Sequence, residues 1–176
     1  MRIFPVFILS SAMLISGCAG VFRSAEPAYK VVAASSEDQP RWLGTKASED
    51  ARFKFYVGRT DVASDLSSGE SLAEAQVRAV IRAEIRDMVR RDVEARLGAS
   101  LAGKREALNQ ALTASLDAVE LKGLVPVERY WERLEVEVDD GTRYAYRLAL
   151  FVRMPKEGFE ATRAEAYRAV ATEIGL

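Results

Sequence analysis

Histidine is absent from the 176-residue chain and cysteine occurs once. Without imidazole there is no Ser-His or Cys-His pair, no histidine metal ligand and no side chain whose ordinary titration falls near neutrality. One thiol closes no intramolecular disulfide and builds no thiolate zinc cage. Proline (5) and glycine (11) are too sparse for a low-complexity or collagen-like chain. Basic residues (25) do not exceed acidic ones (26), so nothing in the charge balance would neutralise a phosphate backbone, and nucleic acid is not expected as a partner. Gly-rich phosphate loops and nucleophile elbows are missing as well. No metal, no cofactor and no enzymatic activity are expected.

What is present begins with an apolar opening. Arg2 precedes Ile3–Ile15, a run broken only by Pro5 and the Ser10-Ser11 pair. A charged start, a short apolar core and small residues behind it describe a secretory leader, while a spanning helix needs about 20 apolar residues. The run ends in Leu14-Ile15-Ser16-Gly17-Cys18-Ala19. Leu14 to Cys18 resembles the lipobox of bacterial lipoproteins, in which an aliphatic residue and two small ones precede an obligatory cysteine. That resemblance implies diacylglycerol on the Cys18 sulfur, cleavage before Cys18 and acylation of the new amino group. Two or three acyl chains anchor firmly where one holds marginally, because each buried CH₂ contributes ~0.8 kcal/mol. By resemblance to envelope sorting rules, Ala19 rather than aspartate favours the outer membrane, with the protein on its periplasmic face. The expected organisation is a leader over residues 1–17, the lipidated Cys18 and a flexible tether over 18–40, and one α+β domain over 41–176.

Within that domain, "ARFKFYVGR" (Ala51–Arg59) alternates as a half-buried strand, with Phe53, Phe55 and Val57 expected inward. Thr60–Glu70 reads as a polar loop. Ser71-Leu72-Ala73-Glu74 has the form of a capping box and predicts a helix from there to about Leu97, closed by Gly98. Ala73, Val77, Val80, Ile81, Ile85, Met88, Val89 and Leu97 are its expected buried stripe. A second helix is expected over 103–119, with an extended segment beginning between Leu121 and Val125. The carboxy-terminal part reads as a hairpin, "VERYWERLEVEV" and "TRYAYRLALFVR", around Asp139-Asp140-Gly141. Tyr130, Leu134, Val136 and Val138 share one face of the first strand; Tyr144, Tyr146, Leu148, Leu150 and Val152 share one face of the second. A three-residue loop with Gly141 at positive φ puts Val136 opposite Tyr144 and Glu137 opposite Arg143. Pro155 opens a last helix with Phe159, Ala166, Val170 and Ile174 inward. The fold class is therefore α+β: an antiparallel sheet with a C-terminal hairpin, packed on one face by a long helix and a C-terminal helix.

Arg78, Arg82, Arg86 and Arg90 form a ladder at four-residue spacing, where like charges repel by a few tenths of a kcal/mol per pair. Two readings stay open: compensation by Glu74, Asp87, Glu94 or Glu135, or a docking surface for an anionic partner. Trp42 and Trp131 are large aromatics near domain edges, as packing or as interface anchors. Asp61 and Asp65 miss the calcium-loop pattern at Ala63 and read as a solvated loop. Asp139-Asp140 reads as turn chemistry.

Several stretches together, "PRWL" (Pro40–Leu43), "FYVGRT" (Phe55–Thr60), "SLAEAQVRAVIRAEI" (Ser71–Ile85) and "RYWERLE…YRLALFVRMPKEGFE" (Arg129–Glu160), resemble the Lpp-twenty family of small outer-membrane lipoproteins. That family is related in domain type to flagellar basal-disk lipoproteins and to a domain of flagellar T-ring proteins. The resemblance implies a compact α+β domain without a catalytic site, acting in envelope or flagellar assembly and in self-association. The expected function is that of a membrane-anchored binding or scaffolding protein whose partner is an envelope protein or a second copy. The alternatives are a carrier of lipid or peptidoglycan fragments and, less favoured, a carboxylate-dependent envelope hydrolase.

Overall fold

The computed structural model describes residues 29–45, 47–138 and 140–176. Its strands are β1 (Tyr29–Ala34), β2 (Ser48–Glu49), β3 (Phe53–Arg59), β4 (Val125–Val138) and β5 (Gly141–Pro155). Its helices are α1 (Leu66–Leu97), α2 (Leu101–Ala118) and α3 (Lys156–Glu173). The strands form one antiparallel sheet in the order β1-β4-β5-β3-β2, with the three helices layered on one face, so the architecture is α+β as the sequence implies.

The long hairpin β4–β5 is the frame, and its register differs from expectation. Val138 pairs with Gly141, Glu137 with Thr142 and Val136 with Arg143, one residue tighter than the three-residue loop predicts, although Gly141 does take a positive φ of 129°. The consequence reaches every side chain, because a one-residue slip exchanges faces. Tyr130 and Leu134 now lie on the face opposite Leu148, Leu150, Val152 and Met154. Leu148, Ala149 and Leu150 are buried in succession, which alternation permits only where both faces are covered. The physical reason is that this sheet has two apolar sides, and a reading that allows it only one must align the two hairpin stripes.

The same error reverses β3. Tyr56, expected outward with Lys54, is 1% exposed against the helices, while Phe53, Phe55 and Val57 lie half-buried on the far side. There Phe55 stacks on Phe151 at 5.4 Å, and Phe151 on Trp42 at 5.5 Å. On the helix side, the Tyr56 hydroxyl donates to Glu84 (2.8 Å), whose other oxygen lies 2.7 Å from the Lys54 ammonium. Lys54 also sits 4.5 Å from the centre of the Phe159 ring, tying β3 to both α1 and α3. Burial first, and then the Glu84 carboxylate, push the Tyr56 hydroxyl far above its ordinary range.

α1 begins at Leu66, five residues before the expected start. Asp65 is the N-cap: its carboxylate accepts from the Ser68 amide at 2.8 Å, and the Ser68 hydroxyl completes the box. Ser71 lies within the helix, its hydroxyl donating to the Ser67 carbonyl. The helix closes at Gly98 (φ 50°), as the sequence implies. Its buried positions are Gly69, Ala73, Val77, Ile81, Ile85, Val89, Val93 and Leu97, a strict four-residue series. At 3.6 residues per turn each step advances about 40° around the axis, so the series winds about the helix. Near its start it faces the sheet, where Gly69 lies beside Ala63 and Leu148. Later it faces α2 and α3, with Arg90 bonded to Asn109 and Asp92 to Arg163. A fixed stripe therefore misplaces Val80, which is 44% exposed, and Met88, which is only partly buried, and it omits Val93.

α2 buries Leu108, Ala111, Leu112 and Leu116, and α3 buries Phe159, Thr162, Ala166 and Val170 with Ile174 behind its end. Each fully buried aliphatic side chain contributes about 1.5–3 kcal/mol. The tether expected over 18–40 is corrected in its second half. Tyr29–Ala34 is strand β1, paired with Glu132–Val136, and Gln39 and Trp42 cross the sheet's second face. Six residues with a register irregularity between Val31 and Ala33 carry too little alternation to be read locally; pairing with β4 makes them a strand. Cys18 and residues 14–19 lie outside the described residues.

Candidate functional site

The second face of the sheet holds the polar cluster. On β4 the run Tyr130, Glu132, Leu134 points to this side, and cross-strand from Glu132 stands Arg147 of β5. Glu132 is 4% exposed, an unusual place for a carboxylate unless it is paired and hydrogen-bonded. It is both. One oxygen accepts from the Tyr130 hydroxyl and from the Gln39 side-chain amide, each at 3.0 Å, and the other accepts from Arg147 Nη1 at 3.0 Å. Burial, followed by the bond to Glu132, pushes the Tyr130 hydroxyl above its ordinary value, so it remains a donor at neutral pH.

This cluster is the floor of a cleft of about 400 Å³. The chain crossing from β1 toward β2 brings Gln39, Leu43 and Gly44 to one wall, and the end of β3 brings Arg59, Thr60 and Asp61 to the other. Thr60 is itself fixed, its hydroxyl accepting from the Leu148 amide at 3.0 Å and its own amide donating to the Leu148 carbonyl at 2.8 Å. Arg147 is half exposed and spends one nitrogen on Glu132, leaving the rest of its fork toward the opening. Arg59 and Asp61 are exposed at the rim, and among the described residues neither side chain has an ion-pair partner.

The residues singled out from sequence lie elsewhere. Arg78 pairs with Glu74 at 2.5 Å and Arg90 donates to Asn109 at 3.1 Å, so part of the ladder is held within the protein. Arg86 is exposed, and Arg82 has its Nε enclosed without a hydrogen-bond partner. Glu135, on β4, is not among the partners of these arginines. The ladder and the cleft are on different layers and do not combine. Trp42 and Trp131 are on opposite faces of the sheet: Trp42 stacks on Phe151 and donates from Nε1 to Glu128, while Trp131 packs against the helix-side core and meets Tyr146 edge-on. Asp61 reaches the cleft rim, and Asp65 is spent on the α1 cap.

Sequence reasoning passed over Gln39, Arg59, Glu132 and Arg147. A signal for Glu132 exists in "YWERL": an acid flanked two residues away on both sides by Tyr130 and Leu134, hence a charge on an apolar strand face. Its partner could not be named without the hairpin register. The chain matches no family model, no curated protein and no solved structure.

Proposed function

We propose that this chain is a lipoprotein anchored through Cys18 to the periplasmic face of a bacterial outer membrane, with its α+β domain a non-catalytic binding or scaffolding module of envelope or flagellar assembly. The leader and lipobox-like Leu14–Ala19 support the anchor, and the resemblance of Pro40–Glu160 to Lpp-twenty proteins supports the role. With β1 beginning at Tyr29, no more than eleven residue steps separate it from Cys18, a reach of at most about 40 Å. The sheet therefore hangs close under the bilayer.

The observation that supports the non-catalytic reading is the internal engagement of Glu132. Both oxygens of this buried carboxylate are bonded to neighbouring side chains, Tyr130 and Gln39 on one and Arg147 on the other, so it is held within the protein rather than presented to a substrate. Two experiments test the proposal together. Membrane fractionation should place the protein with outer membranes, crosslinked there to an envelope protein or to itself. Incubation with isolated cell-wall sacculi should release no soluble fragments. Release that disappears in Glu132→Gln would replace the binding reading with the hydrolase.

A second reading is favoured by one feature, the cleft. A binder or carrier of small envelope fragments, lipid or peptidoglycan, would use a cavity of this size, within the range of about 300–1,000 Å³ common for small-ligand sites.

A further inference from the structure

Resting on that second reading, we infer that the Glu132 cleft binds a small zwitterion, an amino acid or short peptide with a free carboxylate and a free ammonium group. Arg147 and Arg59 take the carboxylate, and Asp61 takes the ammonium.

The argument starts from the cost of Glu132. A buried ion pair seldom gains stability over apolar packing, because desolvation offsets the Coulomb attraction. Here the buried acid does something apolar packing would not: it fixes one side of a half-exposed guanidinium at a cavity mouth. Tyr130 and Gln39, bonded to the same carboxylate, hold Glu132 in turn. Glu132 is thus a positioning residue for Arg147. The fork of an arginine pinned on one edge is preorganised for an oxyanion on the other, which reduces the rotamer entropy lost on binding.

The charges decide the ligand class. Arg147 and Glu132 neutralise each other, which leaves one cation, Arg59, and one anion, Asp61, around the same cavity. They are two residues apart at the end of β3, where the Thr60 bonds to Leu148 hold the backbone. A plain anion would meet Asp61 as a repulsive neighbour, and a plain cation would meet Arg59. A molecule carrying both signs satisfies both, and its carboxylate also meets the unbonded nitrogens of Arg147. The remaining wall, Leu43 and Ala149, is apolar and suits small side chains such as alanine's.

The test uses the full chain in detergent, titrated calorimetrically with tri-L-alanine, its carboxy-terminal amide, its N-acetyl form and inorganic phosphate. Tri-L-alanine should bind saturably, and loss of the carboxylate in the amide should weaken binding by about tenfold or more, as for a charged hydrogen bond. The N-acetyl form should also weaken, and phosphate should not compete. Arg147→Gln and Arg59→Gln should each cost about as much as the amide, with unchanged circular dichroism, and Arg86→Glu should bind like wild type. Glu132→Gln should narrow the preference for acid over amide, a change that a purely structural role would not produce. Absence of saturable binding, equal affinity for the amide, or competition by phosphate would overturn the inference. If the protein still co-sediments with envelope material while tri-L-alanine does not bind, the ligand class is wrong and the binder reading stands; if both fail, the binder reading falls too.

Discussion

The seat of α1 on the sheet turns on one atom's worth of space at Gly58, and Gly58→Ala tests it. A Cβ built there would lie 2.1 Å from the Ala73 carbonyl oxygen, 2.6 Å from Val77 Cγ2 and 2.9 Å from the Ala73 carbonyl carbon. Ordinary contact begins at about 3.4 Å, so α1 has to retreat by roughly 1 Å along the Ala73–Val77 stretch. Two of the obstructing atoms are backbone, which no rotamer change can move. Overpacking of this kind costs about 1–3 kcal/mol and belongs at the upper end here, because the retreat also loosens the Val77 and Ile81 contacts. Alanine returns about 0.5–1 kcal/mol relative to glycine in a strand. The net expectation is a loss of about 2–2.5 kcal/mol, read as a urea midpoint lower by about 1–2 M with an unchanged slope. Gly44→Ala, where nothing lies within 4 Å of the added carbon, is the control and should not lower the midpoint. A Gly58→Ala midpoint equal to wild type would show that α1 and β3 are not in this close contact.

Gly103→Ala, an open position in α2, should raise stability by about 0.5–1 kcal/mol in the same urea titration. Asp65→Ala should lower the melting temperature by roughly 2–4 °C while Ser71→Ala leaves it unchanged, distinguishing the cap seen here from the one the sequence suggests. The Ser68 amide and the hydroxyls of Ser64 and Ser68 hold the Asp65 carboxyl below its ordinary value, so its contribution is full above about pH 4 and is lost as the pH falls through the depressed value; the gap between wild type and Asp65→Ala should close on acidification. Glu132→Ala should destabilise by about 1–3 kcal/mol in a urea titration, since the buried Tyr130 hydroxyl loses its acceptor, whereas Gln39 and Arg147, both exposed, turn to water.

Features governed by short-range chemistry were legible in the sequence. Gly98 closes α1 because only a positive φ suits that end, and Pro155 sits just before α3 with Phe159, Ala166, Val170 and Ile174 inward at helical spacing. Features set by tertiary context were not. Ser67-Ser68-Gly69-Glu70 has loop composition, yet Gly69 is buried beside Ala63 and Leu148, and the helix runs straight through. Face assignment failed for a related reason. Alternation says which residues share a side but not which side is covered, and here Trp42 and Gln39 return from beyond β1 to cover the second one. The cleft inherits both difficulties. Glu132 and Arg147 lie fifteen residues apart and meet only through the register of β4 and β5, and Gln39 falls in a stretch whose composition reads as tether. The arginine ladder, by contrast, was conspicuous in sequence and proves partly internal, with Arg78 and Arg90 bonded to neighbours on α1 and α2.

The proposed anchored binding protein is tested most directly at its anchor. Mass spectrometry of the amino-terminal peptide, taken from protein extracted out of its native membranes, reads that anchor atom by atom. The expected species begins at Cys18, carries diacylglycerol on sulfur and a fatty acyl group on its amino nitrogen, and is absent from Cys18→Ala. A mature chain that retains residues 1–17, or one with a free Cys18 thiol in the soluble fraction, would contradict it.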